Sequence, residues 1–139
     1  MNVKLLLKAT ALVCLALAPV AGHAQSKGRT ANLDTFIQKW DPDHDGTLSL
    51  DEVKKAADAR FEALDPDHDG TLDKKELRGV LSAQDVVKAD PDKDGTLDKA
   101  EYEAIAANRF QAADPDHDGT LDKKELGSPA GKALMRLLQ

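Results

Sequence analysis

The sequence predicts an all-α fold, a compact helical bundle in which four acidic loops are joined by short spacers and paired, the second with the third and the first with the fourth. Three observations predict it. A twelve-residue stretch recurs four times, beginning at Asp41, Asp65, Asp90 and Asp114. Successive copies start 24, 25 and 24 residues apart, which leaves only 12, 13 and 12 residues between one loop and the next. Two of the three spacers carry apolar residues at helical spacing with no breaker, whereas Gly79 interrupts the middle one.

Residues 1–24 read as a secretory signal peptide that precedes a single domain over residues 25–139. Lys4 and Lys8 form a positive start, Leu5 to Ala18 is nearly all apolar, and Gly22 and Ala24 offer the small residues of a cleavage site. The only cysteine, Cys14, lies inside this run, so the mature chain is expected to hold no thiol or disulfide. A periplasmic or secreted location follows. Ser26 to Thr30 shows no structural pattern and is expected to be a polar tail.

Leu33, Phe36, Ile37 and Trp40 stand at i, i+3, i+4 and i+7 and predict a helix leading into the first loop. In the first spacer, Val53, Ala56, Ala57, Phe61 and Leu64 share one helical face. In the third, Tyr102, Ile105, Ala106, Phe110 and Ala113 do the same. Each spacer is too short for two helices and a linker, so each is expected to be one helix that leaves one loop and enters the next. The middle spacer is expected to hold two short helices joined by a turn at Gly79, the second capped by Ser82. Such a turn brings loops 2 and 3 side by side and sends loops 1 and 4 to the opposite end. After loop 4, Gly127 is expected to end a helix, and Ser128-Pro129 to start the last one, with Leu134, Leu137 and Leu138 as its apolar stripe.

Each repeat fits the D-x-D-x-D-G-x5-E pattern of an EF-hand metal loop in full. Side-chain oxygens at positions 1, 3, 5, 9 and 12, with the main-chain carbonyl at 7, can surround one hard cation. The candidate ligands in loop 1 are Asp41, Asp43, Asp45, Thr47, Ser49 and Glu52. Loop 2 offers Asp65, Asp67, Asp69, Thr71, Asp73 and Glu76. Loop 3 offers Asp90, Asp92, Asp94, Thr96, Asp98 and Glu101, and loop 4 Asp114, Asp116, Asp118, Thr120, Asp122 and Glu125. Position 9 with the Glu three residues on also forms a capping box for the exiting helix, a role compatible with ligation. Loop 1 has Ser49 there and hence four carboxylates instead of five, so it is expected to be the weaker site.

Of the 25 acidic residues, 19 occupy these loop positions, so the acidity is a ligand inventory. Without Lys4 and Lys8 the formal charge of −6 becomes −8, which argues against nucleic acid and anionic membrane as partners. The crowded carboxylates repel one another, and the small core is poorly able to hold them together. The chain is therefore expected to be poorly ordered when empty and compact when loaded, binding free energy serving as folding free energy. An all-oxygen donor set argues against zinc and copper, which prefer nitrogen and sulfur, and against Mg²⁺, which wants a small octahedral cage. Ca²⁺ and the trivalent lanthanides both fit, and charge balance does not choose between them. His44, His68 and His117 at position 4 are expected to point to solvent, as are the lysines at positions 10 and 11. No nucleophile or open-coordination cluster stands apart from the loops, so no enzymatic activity is expected.

Proline at position 2 of all four loops (Pro42, Pro66, Pro91, Pro115), the short spacers, the signal sequence and the ending Gly127-Ser-Pro-Ala-Gly131 before an apolar helix are distinctive together. In these features the chain resembles the lanmodulin family of bacterial periplasmic lanthanide-binding proteins, over nearly the whole mature length. The resemblance implies selective binding of lanthanide ions, La³⁺ to mid-series, at up to four sites, with Ca²⁺ as a weaker ligand. It also implies a disorder-to-order response to metal and a role in lanthanide handling near lanthanide-dependent alcohol oxidation. A monomer is expected; the sequence points to metal ions as partners and to no particular protein.

Overall fold

The computed structural model describes residues 26–139, with side chains from Asn32 onward. The expected signal peptide lies outside the described residues. Among the described residues, six helices and four two-residue strands follow in the order α1 Ser26–Trp40, β1 Leu48–Ser49, α2 Leu50–Leu64, β2 Thr71–Leu72, α3 Ala83–Ala89, β3 Leu97–Asp98, α4 Lys99–Ala113, β4 Thr120–Leu121, α5 Lys123–Leu126 and α6 Pro129–Leu138. None of the described helices is long and apolar enough to cross a membrane.

The strands are the loop centres, and they pair as the spacing predicts. β1 runs antiparallel to β4, Leu48 opposite Leu121, while β2 runs antiparallel to β3, Leu72 opposite Leu97. α2 and α4 connect the two ends, each a single uninterrupted helix of 15 residues, about 22 Å long at 1.5 Å per residue. Their apolar faces meet in the centre, where the rings of Phe61 and Tyr102 lie edge to face with centroids 6.0 Å apart. The position-8 leucines Leu48, Leu72, Leu97 and Leu121 are fully buried and tie both loop pairs into this core. α6 closes the bundle with Leu134, Leu137 and Leu138 and packs chiefly along α4.

Two expectations change. The polar stretch Ser26 to Thr30 is the first part of α1, because no proline interrupts it and the helix seeded by Leu33, Phe36 and Ile37 propagates backwards. The middle spacer holds one helix, not two. After loop 2 the chain makes a turn over residues 74–77, and Gly79 then takes φ +86°, a left-handed conformation that ends it. The Leu77 carbonyl accepts from both Val80 and Leu81 N–H, at 3.0 and 3.1 Å, which closes the corner before any helix can grow. α3 follows as expected, with Ser82 Oγ accepting from Asp85 N–H at 3.2 Å.

Tyr102 anchors α6. Its buried hydroxyl donates to the Leu137 carbonyl at 2.7 Å, and Arg109 donates to the Ala133 carbonyl at 2.8 Å. Burial pushes the Tyr102 phenol up from 10.0 to about 12, against the pull of Arg60 and Arg109. The raised value sets the sign of a pH effect: the stability is complete below the unfolded value near 10 and declines as pH rises towards 12. Denaturant unfolding of the calcium-loaded chain should show this decline, and Tyr102→Phe should remove it. The same variant should cost about 1–3 kcal/mol at neutral pH, since it leaves a buried carbonyl without its donor.

Candidate metal sites

Each site starts from the residue at position 1, at the C-terminal end of a helix or just beyond it. Asp41, Asp65, Asp90 and Asp114 are all buried. In each, Oδ2 accepts from the N–H of the position-6 glycine, at 2.9 Å in loop 1, 3.0 Å in loops 2 and 3, and 3.1 Å in loop 4. That bond curls the loop around its own first carboxylate. The curl needs φ of 85–90° at position 6, which glycine supplies without strain. It also needs φ near +60° at position 4, where His44, His68, Lys93 and His117 sit exposed and take no part in the acidic clusters.

In three of the loops the carboxylates at positions 1, 3 and 5 lie together. Asp41, Asp43 and Asp45 can each offer an oxygen within 4.8 Å of the others, as can Asp90 with Asp92 and Asp94, and Asp114 with Asp116 and Asp118. In loop 2 the group of three is Asp65, Asp67 and Glu76. The position-7 threonines do more than lend a carbonyl. Thr47, Thr71, Thr96 and Thr120 each donate both N–H and hydroxyl to the position-5 Oδ1, at 2.7–2.9 Å, and so fix that carboxylate in place.

Positions 9 and 12 hold each other. Glu52, Glu76, Glu101 and Glu125 each accept from the position-9 N–H through Oε2, at 2.7–2.9 Å. In return Asp73, Asp98 and Asp122 accept the glutamate's N–H through Oδ1, at 2.8–3.0 Å, and Ser49 accepts that of Glu52 at 3.4 Å. This capping box persists in loop 2, where no α-helix follows. The position-9 carboxylates belong to none of the acidic clusters.

The electrostatics show crowding. Burial works against the Asp41 charge, yet the N–H groups of Gly46, His44 and Asp45, with the bond to Asp43, hold its carboxyl below the usual value. Asp43 is raised, first of all by that same shared bond with Asp41. Burial raises Glu101, and the charges of Asp98, Asp92 and Asp90 add to it against the pull of the Asp98 N–H. The Asp122 N–H pulls Glu125 down, but burial and the charges of Asp116, Asp122 and Asp118 outweigh it. Loops 1, 3 and 4 thus each hold a carboxyl pushed up by its neighbours, whereas in loop 2, despite burial at Asp65, backbone hydrogen bonds hold Asp65 and Asp73 below the usual value.

The donor set fits a hard cation. Asp90 Oδ1, Asp114 Oδ1 and Glu125 Oε1 are buried and find no hydrogen-bond donor. A carboxylate oxygen left this way costs free energy that a cation beside it removes. The lysines at position 10 depart from expectation in one respect. Lys123 remains exposed and Lys99 is half-buried; Lys99 lies 3.6 and 3.7 Å from Asp58 and Glu62, and Lys123 lies 2.7 Å from Asp34. They join each loop's exiting helix to a neighbouring helix.

Four such clusters on paired helix–loop units define a chain that binds hard metal ions of the calcium type through EF-hand loops. The comparison with protein families agrees: the family described as EF hand matches residues 57–81 and 105–128, which contain loops 2 and 4. Loops 1 and 3 lie outside those matches and carry the same signature and geometry. The matched family is a metal-binding, non-enzymatic one, which agrees with the four acidic clusters. No curated protein matches the chain.

Proposed function

We propose that the chain binds trivalent lanthanide ions selectively in the periplasm, folds as it does so, and serves to sequester or carry them as a monomer. The observation that carries this reading is the surplus of negative charge in each loop. Loops 2 to 4 each carry five carboxylates, of which three gather in one cluster and already exceed the charge of a divalent ion, and Asp90, Asp114 and Glu125 each keep a buried oxygen without a donor. A trivalent ion has half again the Coulomb attraction to every one of them. The proline at position 2 of each loop and the short spacers, shared with lanmodulins, support the same ion. The periplasmic location rests on residues 1–24 alone.

A calcium buffer or sensor is the second reading, and one observation favours it. Asp73, Asp98 and Asp122 spend Oδ1 on the capping box, which lowers the charge each loop turns towards a metal. Terbium luminescence separates the two. Tb³⁺ emission excited through Trp40, which adjoins Asp41, should survive about a thousandfold excess of free Ca²⁺, a preference of about 4 kcal/mol. Loss of the signal at comparable free Ca²⁺ would make this a calcium protein. Ser49→Asp keeps the cap and adds the missing carboxylate, so it should strengthen Tb³⁺ binding at loop 1.

A further inference from the structure

We infer that the cleft between α1, α2, the Gly79 corner and α6 binds a small organic anion with an apolar body. Its volume is about 910 Å³, within the range of small-molecule sites. Its walls carry three cations, Arg60, Lys132 and Arg136, and an apolar lining of Leu33, Val80 and Met135. No aspartate or glutamate lines it, in a chain whose formal charge is −6.

All three cations line the cleft; among the described residues Lys132 and Arg136 make no ion pair, and Arg60 is hydrogen-bonded to Tyr102. The ion pairs among the described residues use Lys99, Arg109 and Lys123, and none of these three. Arg60 lies beside the Tyr102 hydroxyl, but its Nε is buried and finds no acceptor. Lys132 and Arg136 stand one turn apart on α6, so both heads serve the same face. A carboxylate, sulfonate or phosphate at this mouth would meet all three charges, while its apolar body displaces water from Leu33, Val80 and Met135.

The walls tie the cleft to the metal loops. α1 enters loop 1, α2 joins loops 1 and 2, the Gly79 corner leaves loop 2, and α6 follows loop 4. If metal folds the chain, a point that rests on the function proposed above, metal also assembles the cleft, and anion and metal strengthen each other's binding.

The probe is naphthalene-2-sulfonate, an apolar anion that chelates hard cations poorly, titrated into the La³⁺-loaded chain. Met135 and Met1 are the only methionines, so a ¹³C-methyl label on methionine gives a clean reporter inside the cleft. A saturable Met135 shift is expected, weakened at least about tenfold by Arg60→Gln, Lys132→Gln and Arg136→Gln together. Lys55→Gln with Lys88→Gln, which removes charge elsewhere, should leave it unchanged. Should the triple variant fail to fold, Lys132→Gln and Arg136→Gln, both at exposed positions, should each weaken binding about threefold. No saturable shift, or the same curve in the charge variants, would overturn the inference. Binding to loaded and metal-stripped chain alike would uphold the cleft and remove metal-coupled folding; binding to the loaded chain alone would uphold both.

Discussion

Asp114→Asn is expected to weaken metal binding at loop 4 by at least about a hundredfold, and to weaken loop 1 while sparing loops 2 and 3. Asp114 Oδ2 holds the loop closed through Gly119, and its buried Oδ1 has no donor. An asparagine can keep the first contact only by turning its NH₂ group to where the cation belongs. One unit charge 4 Å away is worth about 4 kcal/mol at an effective dielectric near 20, against 1.4 kcal/mol for each factor of ten. The selectivity among loops follows from pairing, because Leu121 and Thr120 of loop 4 lie opposite Leu48 and Ser49 of loop 1. Asp90→Asn should mirror this, weakening loops 3 and 2 and leaving the other pair. Site-resolved titration by NMR reads both variants; equal weakening of all four loops would show that pairing does not set the coupling.

Gly131→Ala should destabilise the loaded chain, although alanine is the better helix former. Propensity alone predicts a gain of about 1 kcal/mol in α6. Packing opposes it: a Cβ on Gly131 would stand 2.2 Å from the Glu125 carbonyl oxygen and 2.5 Å from Leu126 Cα, both backbone atoms that cannot swing aside. α6 must then lift from α5, at a cost of about 1–3 kcal/mol typical of overpacking, offset in part by the propensity gain. Glu125 is also position 12 of loop 4, so the same displacement should loosen metal there. Gly127→Ala meets its nearest backbone oxygen at 3.1 Å and should cost less. A stabilised Gly131→Ala in thermal unfolding would mean that α6 does not seat against loop 4 in this way.

The pairing of the loops was legible because it depends on chain length and on one residue. Spacers of 12 residues admit a single helix, and Gly79 alone offers a corner. The acidic clusters were legible too, since the loop is a local structure and its spacing brings positions 1, 3 and 5 together in loops 1, 3 and 4. What escaped was tertiary or competitive. Two helices around Gly79 looked possible from local signals, but the left-handed glycine comes only two residues after Leu77 and leaves the loop 2 exit no room. The capping box at position 9 was itself legible, but not that position 9 would stand outside the acidic clusters while the N–H of Glu101 or Glu125 occupies one of its oxygens. The buried position-8 leucines had a signal, one leucine at the same place in every repeat, that the ligand pattern overshadowed. Gly131 had none: its contact with Glu125 depends on how α6 folds back, which no local pattern records.

Metal, and a trivalent one above all, is expected to fold this chain. Far-UV circular dichroism of the chain without residues 1–24, titrated with buffered free La³⁺ and separately with Ca²⁺, tests it most directly. Helix should appear from a poorly ordered chain at far lower free La³⁺ than free Ca²⁺, with the stoichiometry showing whether loop 1 fills. A chain already fully helical without metal would contradict the claim that charge repulsion holds the empty loops apart, and folding by both ions over one concentration range would contradict lanthanide selectivity.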